Sequence, residues 1–278
     1  MSVGFGFGAS ICKHFYSRRS LNMVIKAALI DLSGTLHIEN EPTADAVNAL
    51  KRLRDTDIQI KFVTNTTKES RKTLHERLRK IGFELEAHEI FSSLSAAANY
   101  VEKEKLNPLY LLSEDAKSDF RASDPNLELD SVVVGLAPSE FYYENLNKAF
   151  NLLMANKNNR LVAIHQGKYY KRADGLALGP GAFVKGLEYA AAVNSILIGK
   201  PNEYFFKSAI PEGICPEECV MIGDDPIDDI AGAMKIGLIG IQVKTGKYLP
   251  NIIVPEQPTV IVENFSKAVD WIIKTNLN

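Results

Sequence analysis

Four short apolar runs along the chain each end in polar residues, and this recurrence sets the expected fold. Ala27-Ala28-Leu29-Ile30 ends on Asp31, and Ile58-Gln59-Ile60-Lys61-Phe62-Val63 ends in Thr64-Asn65-Thr66-Thr67. Ser195-Ile196-Leu197-Ile198 ends in Gly199-Lys200-Pro201, and Cys219-Val220-Met221-Ile222-Gly223 ends in Asp224-Asp225. Near-continuous apolar runs of this length suit strands buried on both faces, as in a parallel sheet. Helical spacing fills the gaps: Ala46, Val47, Leu50 and Leu53 within residues 42–54, and Leu74, Leu78 and Ile81 around residues 68–80. Gly82 stands where a helix C-terminus needs it, and an Ala-rich helix is expected over residues 92–105. Strand alternating with helix predicts an α/β fold, a doubly wound parallel sheet.

The second and third runs are too far apart for one crossover. Thr64 and Lys200 are 136 residues apart, whereas a parallel crossover needs only a dozen or more residues. An inserted domain is therefore expected over residues 106–194, with core at 23–105 and 195–278. Strands are expected there at residues 109–112, 132–135, 161–164 and 168–172, and helices at 140–155 and 182–193.

In open α/β sheets ligands bind outside the carboxyl ends of the strands. One edge would then carry the Asp31 carboxylate, the Thr64 hydroxyl, the Asn65 amide, the Lys200 ammonium, and the carboxylates of Asp224 and Asp225. Carboxylates hold Mg²⁺ and a lysine offsets phosphate charge, so the set suits phosphate handled with a divalent cation. An Asp at a strand end is also a common turn-former, so Asp31 alone decides nothing.

The stretches DLSGTLHIE, FVTNTTKES, YYKRADGLALGPG and VMIGDDPIDDI, in this order, resemble the haloacid dehalogenase superfamily of phosphatases from about Val24 to the C-terminus. The resemblance implies a Mg²⁺-dependent phosphatase with an inserted α/β cap of the C2 type, acting on a small phosphorylated molecule through an aspartyl-phosphate. Asp31 is then the nucleophile, Lys200 the charge stabiliser, and Asp31, Asp224 and the Ser33 backbone carbonyl the Mg²⁺ ligands. Leu32, Ser33, Thr64 and Asn65 join Asp31 and Lys200 in holding the phosphoryl group, and Asp225 and Asp229 support the metal. Asp228 is read as a solvated helix-start residue. Partners implied are the small-molecule substrate and, through the cap, a second copy of the chain.

Ser33 departs from the pattern. Most phosphatases of the superfamily have a second Asp there as general acid, a function worth about 10²–10⁴ in rate. A serine hydroxyl cannot replace it near neutral pH. Anhydrides and phosphoramidates, with better leaving groups than alkyl esters, fit such a site, and so does a weakly active binding or regulatory protein of the same fold.

The cluster His165, Lys168, Tyr169, Tyr170, Lys171, Arg172 and Asp174 is either a substrate-choosing loop of the cap or a hydrated hairpin. Gly179-Pro180-Gly181 either holds an anion with its amides or starts a helix. His14, His37, His75 and His88 show no metal-ligand spacing and read as ordinary surface or loop residues.

Net charge is −2, so there is no basic excess for nucleic acid, and no apolar stretch reaches membrane-spanning length. Cys12, Cys215 and Cys219 are too few for a zinc site and, being odd in number in a long chain, imply no disulfide framework, which points to a reducing compartment. A cytoplasmic location is expected. Residues 1–22 hold Lys13, Arg18, Arg19 and no acid, the composition of a mitochondrial transit peptide. The alternative is a disordered leader, since Phe5-Gly6-Phe7-Gly8 makes a poor helix and Met23 directly precedes the first strand.

Overall fold

The computed structural model describes residues 24–172, 175–248, 250 and 256–277. The expected leader, residues 1–22, and Asp174 lie outside the described residues.

A six-stranded parallel sheet forms the base, in the order Val260–Val262, Ile239–Val243, Cys219–Gly223, Ala27–Asp31, Gln59–Thr64, Ile90–Ser92. Alternation along the strands sorts side chains to two faces. Ala28, Ile30, Phe62, Val220 and Ile222 pack under the helices Ala46–Arg54, Arg71–Ile81 and Phe265–Leu277. Ala27, Leu29, Val63 and Met221 pack on the opposite face against the helices Ser93–Lys103 and Glu203–Ala209. With both faces covered, Ala27–Asp31 is buried throughout, which is why it reads as an unbroken apolar run.

The helix expected at residues 42–54 starts only at Ala46. Pro42 instead pairs with His37 in a two-strand hairpin, His37–Ile38 with Glu41–Pro42, and the Thr43 hydroxyl donates to the Thr35 and Leu36 carbonyls. The hairpin buries His37 to 3% exposure, so the surface reading of that histidine is corrected. The next helix begins at Arg71, where the Ser70 hydroxyl accepts the Thr73 N–H at 3.2 Å, and Gly82 ends it at φ 112°, as expected.

A second parallel sheet is made by Pro108–Leu111, Ser131–Val134, Arg160–Ala163 and Ile196–Leu197. The last of these corrects the sequence reading, which placed it in the main sheet. Its ladder with Val162 and Ala163 continues through Ile198 N–H to the Ala163 carbonyl and Gly199 N–H to the Ile164 carbonyl. An apolar run does not state which sheet will pair with it, and this one delivers Lys200 to the main sheet from the edge of the other. One face of the second sheet (Leu112, Val133, Val162, Ile164) shares a cluster with the helix Ser93–Lys103. Its other face packs under the helices Tyr143–Ala155 and Gly181–Ala191.

The strand expected at residues 168–172 is one arm of a hairpin, Tyr169–Arg172 with Gly175–Leu178. The Lys68 ammonium lies 4.1 Å from the Tyr170 ring centroid, which ties this hairpin to the loop after Thr67. The amides of Gly179 and Gly181 donate to the Lys168 and Gly167 carbonyls. Both amides are thus engaged at the start of the helix Gly181–Ala191, which supports the helix-start reading.

Candidate active site

The carboxyl ends of the central strands converge as the pattern predicts. Asp31, 5% exposed, ends the strand between Gln59–Thr64 and Cys219–Gly223. One of its oxygens accepts the Lys200 ammonium at 2.6 Å and the other accepts the Thr35 hydroxyl at 3.2 Å. The chain turns at Gly34, φ 95°, and the amides of Thr35, Leu36 and His37 all converge on the Leu32 carbonyl. The Leu32 side chain is in the core, so only its main chain faces the site. Ser33 is exposed at the opening.

Lys200, 4% exposed, directs its ammonium to Asp31 and to Asp229, each at 2.6 Å. Burial works to lower its pKa, but the two carboxylates outweigh it and hold it above its ordinary value. Thr64 uses its hydroxyl to accept the Thr66 N–H at 3.2 Å. Asn65 is engaged differently from the expectation: its carboxamide accepts the Lys200 N–H and donates to the Lys200 carbonyl, both at 2.9 Å. The side chain therefore fixes Lys200, leaving its second N–H and the Asn65 main chain for a phosphoryl group.

Asp224 and Asp229 are each 1% exposed. Burial and the charge of Asp31 push the Asp224 carboxyl up to about 7. Burial raises Asp229 well above the usual range, against the pull of Lys200. Asp229 reaches inward because Pro226–Ala231 winds as a wide π-helical segment, a form that recurs at functional sites. Its second oxygen accepts the Asp225 N–H at 3.1 Å. Asp225 caps the segment by accepting the Ile227 and Asp228 amides. These amides and Lys247 hold it below the usual carboxylate range although burial opposes them. Asp228, read as solvated, is half-buried and pushed up to about 6 by burial and by Asp225.

Oxygens of Asp31, Asp224 and Asp229 lie within 4.8 Å of one another. Three buried carboxylates against one ammonium leave an excess of negative charge, which adds to burial in raising Asp224 and Asp229. Hard oxygen donors in this number suit Mg²⁺, so the residues present fit the cation. Asp229 stands within this cluster as well as beside Lys200, closer to a metal position than its helix-start location suggested.

A fifth strand end was missed. Ile239–Val243 runs into Lys244-Thr245-Gly246-Lys247, the same apolar-then-polar pattern as the other four. Thr245 donates its hydroxyl to the Gly34 carbonyl, and the Lys247 N–H donates to Asp224 at 2.6 Å. Gly34 and Gly246 both press on the Asp224 carboxylate, where a Cβ would collide with it. The Lys247 ammonium pairs with Asp225 at 3.1 Å. Burial works to lower its pKa, but the Asp225, Asp229 and Asp224 carboxylates hold it above the ordinary lysine value.

The insert reaches the site through His165. Its Nδ1 accepts the Gly167 N–H at 3.2 Å and its Nε2 lies 3.1 Å from the Thr67 hydroxyl, which also accepts the Leu136 N–H at 3.0 Å. Lys168 and Tyr169, expected with it, are exposed, and the side chains of Lys171 and Arg172 lie outside what is described. Burial, aided by the Lys247 charge, pushes the His165 imidazole down to about 4. The unfolded residue titrates near 6.5, so between these values the unfolded chain binds more protons. Stability should therefore fall as pH drops from about 6.5 to 4, by up to about 3 kcal/mol from this residue. Thermal melts should show a shallower acid slope for His165→Gln than for the parent chain. Parallel slopes would remove His165 as the cause.

Residues 28–124 match the family model described as haloacid dehalogenase-like hydrolase, and residues 197–268 match one described as HAD-hydrolase-like. The chain is 49% identical over 257 residues to haloacid dehalogenase-like hydrolase domain-containing protein 2 of Rattus norvegicus, covering 90% of this chain and 97% of that one. It is 35% identical over 258 residues to phospholysine phosphohistidine inorganic pyrophosphate phosphatase of Danio rerio, covering 90% and 94%. The fold matches 4-nitrophenylphosphatase from Thermotoga maritima at TM-score 0.82 and 21% identity, over 89% of this chain and 97% of that one.

Proposed function

Because this chain belongs to the haloacid dehalogenase-like hydrolase family, we propose that it is a Mg²⁺-dependent phosphatase working through an aspartyl-phosphate. The observation that carries the reading is the contact of Asp31 with Lys200 inside a cluster of three buried carboxylates. A carboxylate nucleophile attacks phosphorus only if the charge on both partners is offset. Lys200 offsets it from one side. Asp31, Asp224 and the Ser33 carbonyl would hold Mg²⁺ on the other, with Asp229 and Asp225 behind them. The cation supplies electrostatic relief between carboxylate and phosphoryl oxygens.

In the first step an Asp31 oxygen bonds to phosphorus, the bond from phosphorus to the leaving atom breaks, and the electron pair goes with the leaving group. Water then attacks phosphorus and releases Asp31 and inorganic phosphate, its protons passing to phosphate and solvent. The main chain at Leu32 and Asn65 and the Thr64 hydroxyl orient the phosphoryl group. Ser33 gives no general acid, so the substrate class is one that leaves without a strong acid: a phosphoanhydride such as pyrophosphate, or a protonated phosphoramidate. The name of the Danio rerio relative lies in this class. A weakly active binding protein is the second reading, favoured by Ser33 alone.

The test is phosphate release by the full chain from pyrophosphate, a phosphoramidate, phenyl phosphate and an alkyl phosphate. Release should require Mg²⁺, stop with EDTA and return on Mg²⁺ addition. Anhydride or phosphoramidate should exceed alkyl ester by about 10-fold or more. Full turnover without divalent metal, or no release from any of the four, would overturn the reading.

A further inference from the structure

We propose that Lys247 binds the leaving group, and that it selects substrates whose leaving group is itself a phosphate. The inference rests on the phosphatase reading and deepens it.

The main chain of residues 245–247 is locked to the catalytic centre. Thr245 donates to the Gly34 carbonyl and the Lys247 amide donates to Asp224. The Lys247 side chain then leaves that buried centre and is 67% exposed. Its ammonium meets Asp225 at 3.1 Å on the core side. On the other side its charge is felt by His165, which the second sheet presents. The ammonium thus lies at the solvent-exposed rim of the carboxylate cluster, beside Asp225 and one residue-length from the Asp224 carboxylate that its own amide holds.

Lys200 cannot do the same work. It is buried and its ammonium is directed to Asp31 and Asp229, so it serves the phosphoryl group under attack. Lys247 has Asp225 as its partner and two further N–H donors. A lysine is a point cation for phosphate, and a group placed where charge develops on leaving acts on rate as well as on binding.

The chemistry then explains how the site works with Ser33. When Asp31 attacks one phosphorus of a diphosphate, the bridging P–O bond breaks and the electron pair stays on the bridging oxygen. When the departing half already carries one proton, it leaves as the monohydrogen phosphate dianion, which is stable near neutral pH and needs no further proton. An alkoxide is far more basic and needs the acid that Ser33 cannot be. A fixed cation pairs more strongly with the multiply charged departing phosphate than with a singly charged alkoxide, which would still lack the proton that Ser33 cannot give.

Lys247→Met and Lys247→Arg test this in the full chain with Mg²⁺. Both keep the main-chain bond to Asp224. Lys247→Met should lower kcat/KM for pyrophosphate at least about 10-fold relative to that for phenyl phosphate, with kcat falling more than KM rises. Lys247→Arg should restore most of the ratio. Equilibrium binding of methylenediphosphonate, a non-hydrolysable diphosphate, should weaken about 10-fold in Lys247→Met, while orthophosphate binding changes less. Equal losses on pyrophosphate and phenyl phosphate, or unchanged diphosphonate binding, would overturn the assignment. A parent chain that binds the diphosphonate through Lys247 yet releases no phosphate overturns the phosphatase reading and leaves diphosphate recognition standing.

Discussion

Asp31→Asn should reduce Mg²⁺-dependent phosphate release by at least about 10⁴-fold, on the scale of losses seen when a nucleophile is removed. The amide keeps the shape of the carboxylate and can still accept from Lys200, but it cannot form the acyl phosphate. The fold should survive. Asp229 still pairs with Lys200 at 2.6 Å, and loss of the Asp31 charge removes one cause of the raised Asp224 carboxyl. Circular dichroism and a denaturant melt separate loss of chemistry from loss of structure. A folded variant that turns over at the parent rate would end the nucleophile assignment.

Lys200→Met should also lower activity and, unlike Asp31→Asn, damage the fold. The substitution roughly keeps side-chain volume but leaves Asp31 and Asp229 facing each other, both buried and without their cation. Removing one partner of a buried ion pair costs about 3–5 kcal/mol. A urea melt should register a loss of that order. Added Mg²⁺ should recover part of it, since a cation bound only by the native state stabilises by mass action. Activity should fall by at least about 10²-fold even when the protein is kept folded. Unaltered stability would mean that the carboxylates are protonated in the parent chain, and Lys200 would not be the charge partner described.

The main sheet was legible because its strands are buried on both faces and stop at polar residues. Asp31, Thr64 and Asp224 come to one edge for that reason. What the sequence hid depends on partners distant along the chain. Ile196–Leu197 is as apolar as a core strand, yet it pairs with Val162 and Ala163. The Asn65 carboxamide could equally have faced a phosphoryl group, and only the position of the Lys200 main chain decides otherwise. Asp229 was expected to support the metal, but its direct contact with Lys200 was not legible, because the wide winding of Pro226–Ala231 is not written in residue spacing. Lys247 could have been found, since Ile239–Val243 repeats the pattern of the other strand ends.

The Asn65–Lys200 clamp joins residues 135 apart in sequence. Closing a flexible loop of that length costs about 4 kcal/mol before any contact repays it. The second sheet changes this. Once it has formed, Gly199 is bonded to Ile164 and Thr67 to Leu136, at 2.8 and 3.0 Å, so the two halves of the clamp are already neighbours. The insert therefore acts on the catalytic centre as a covalent crosslink would, by restricting the ensemble from which the centre is drawn.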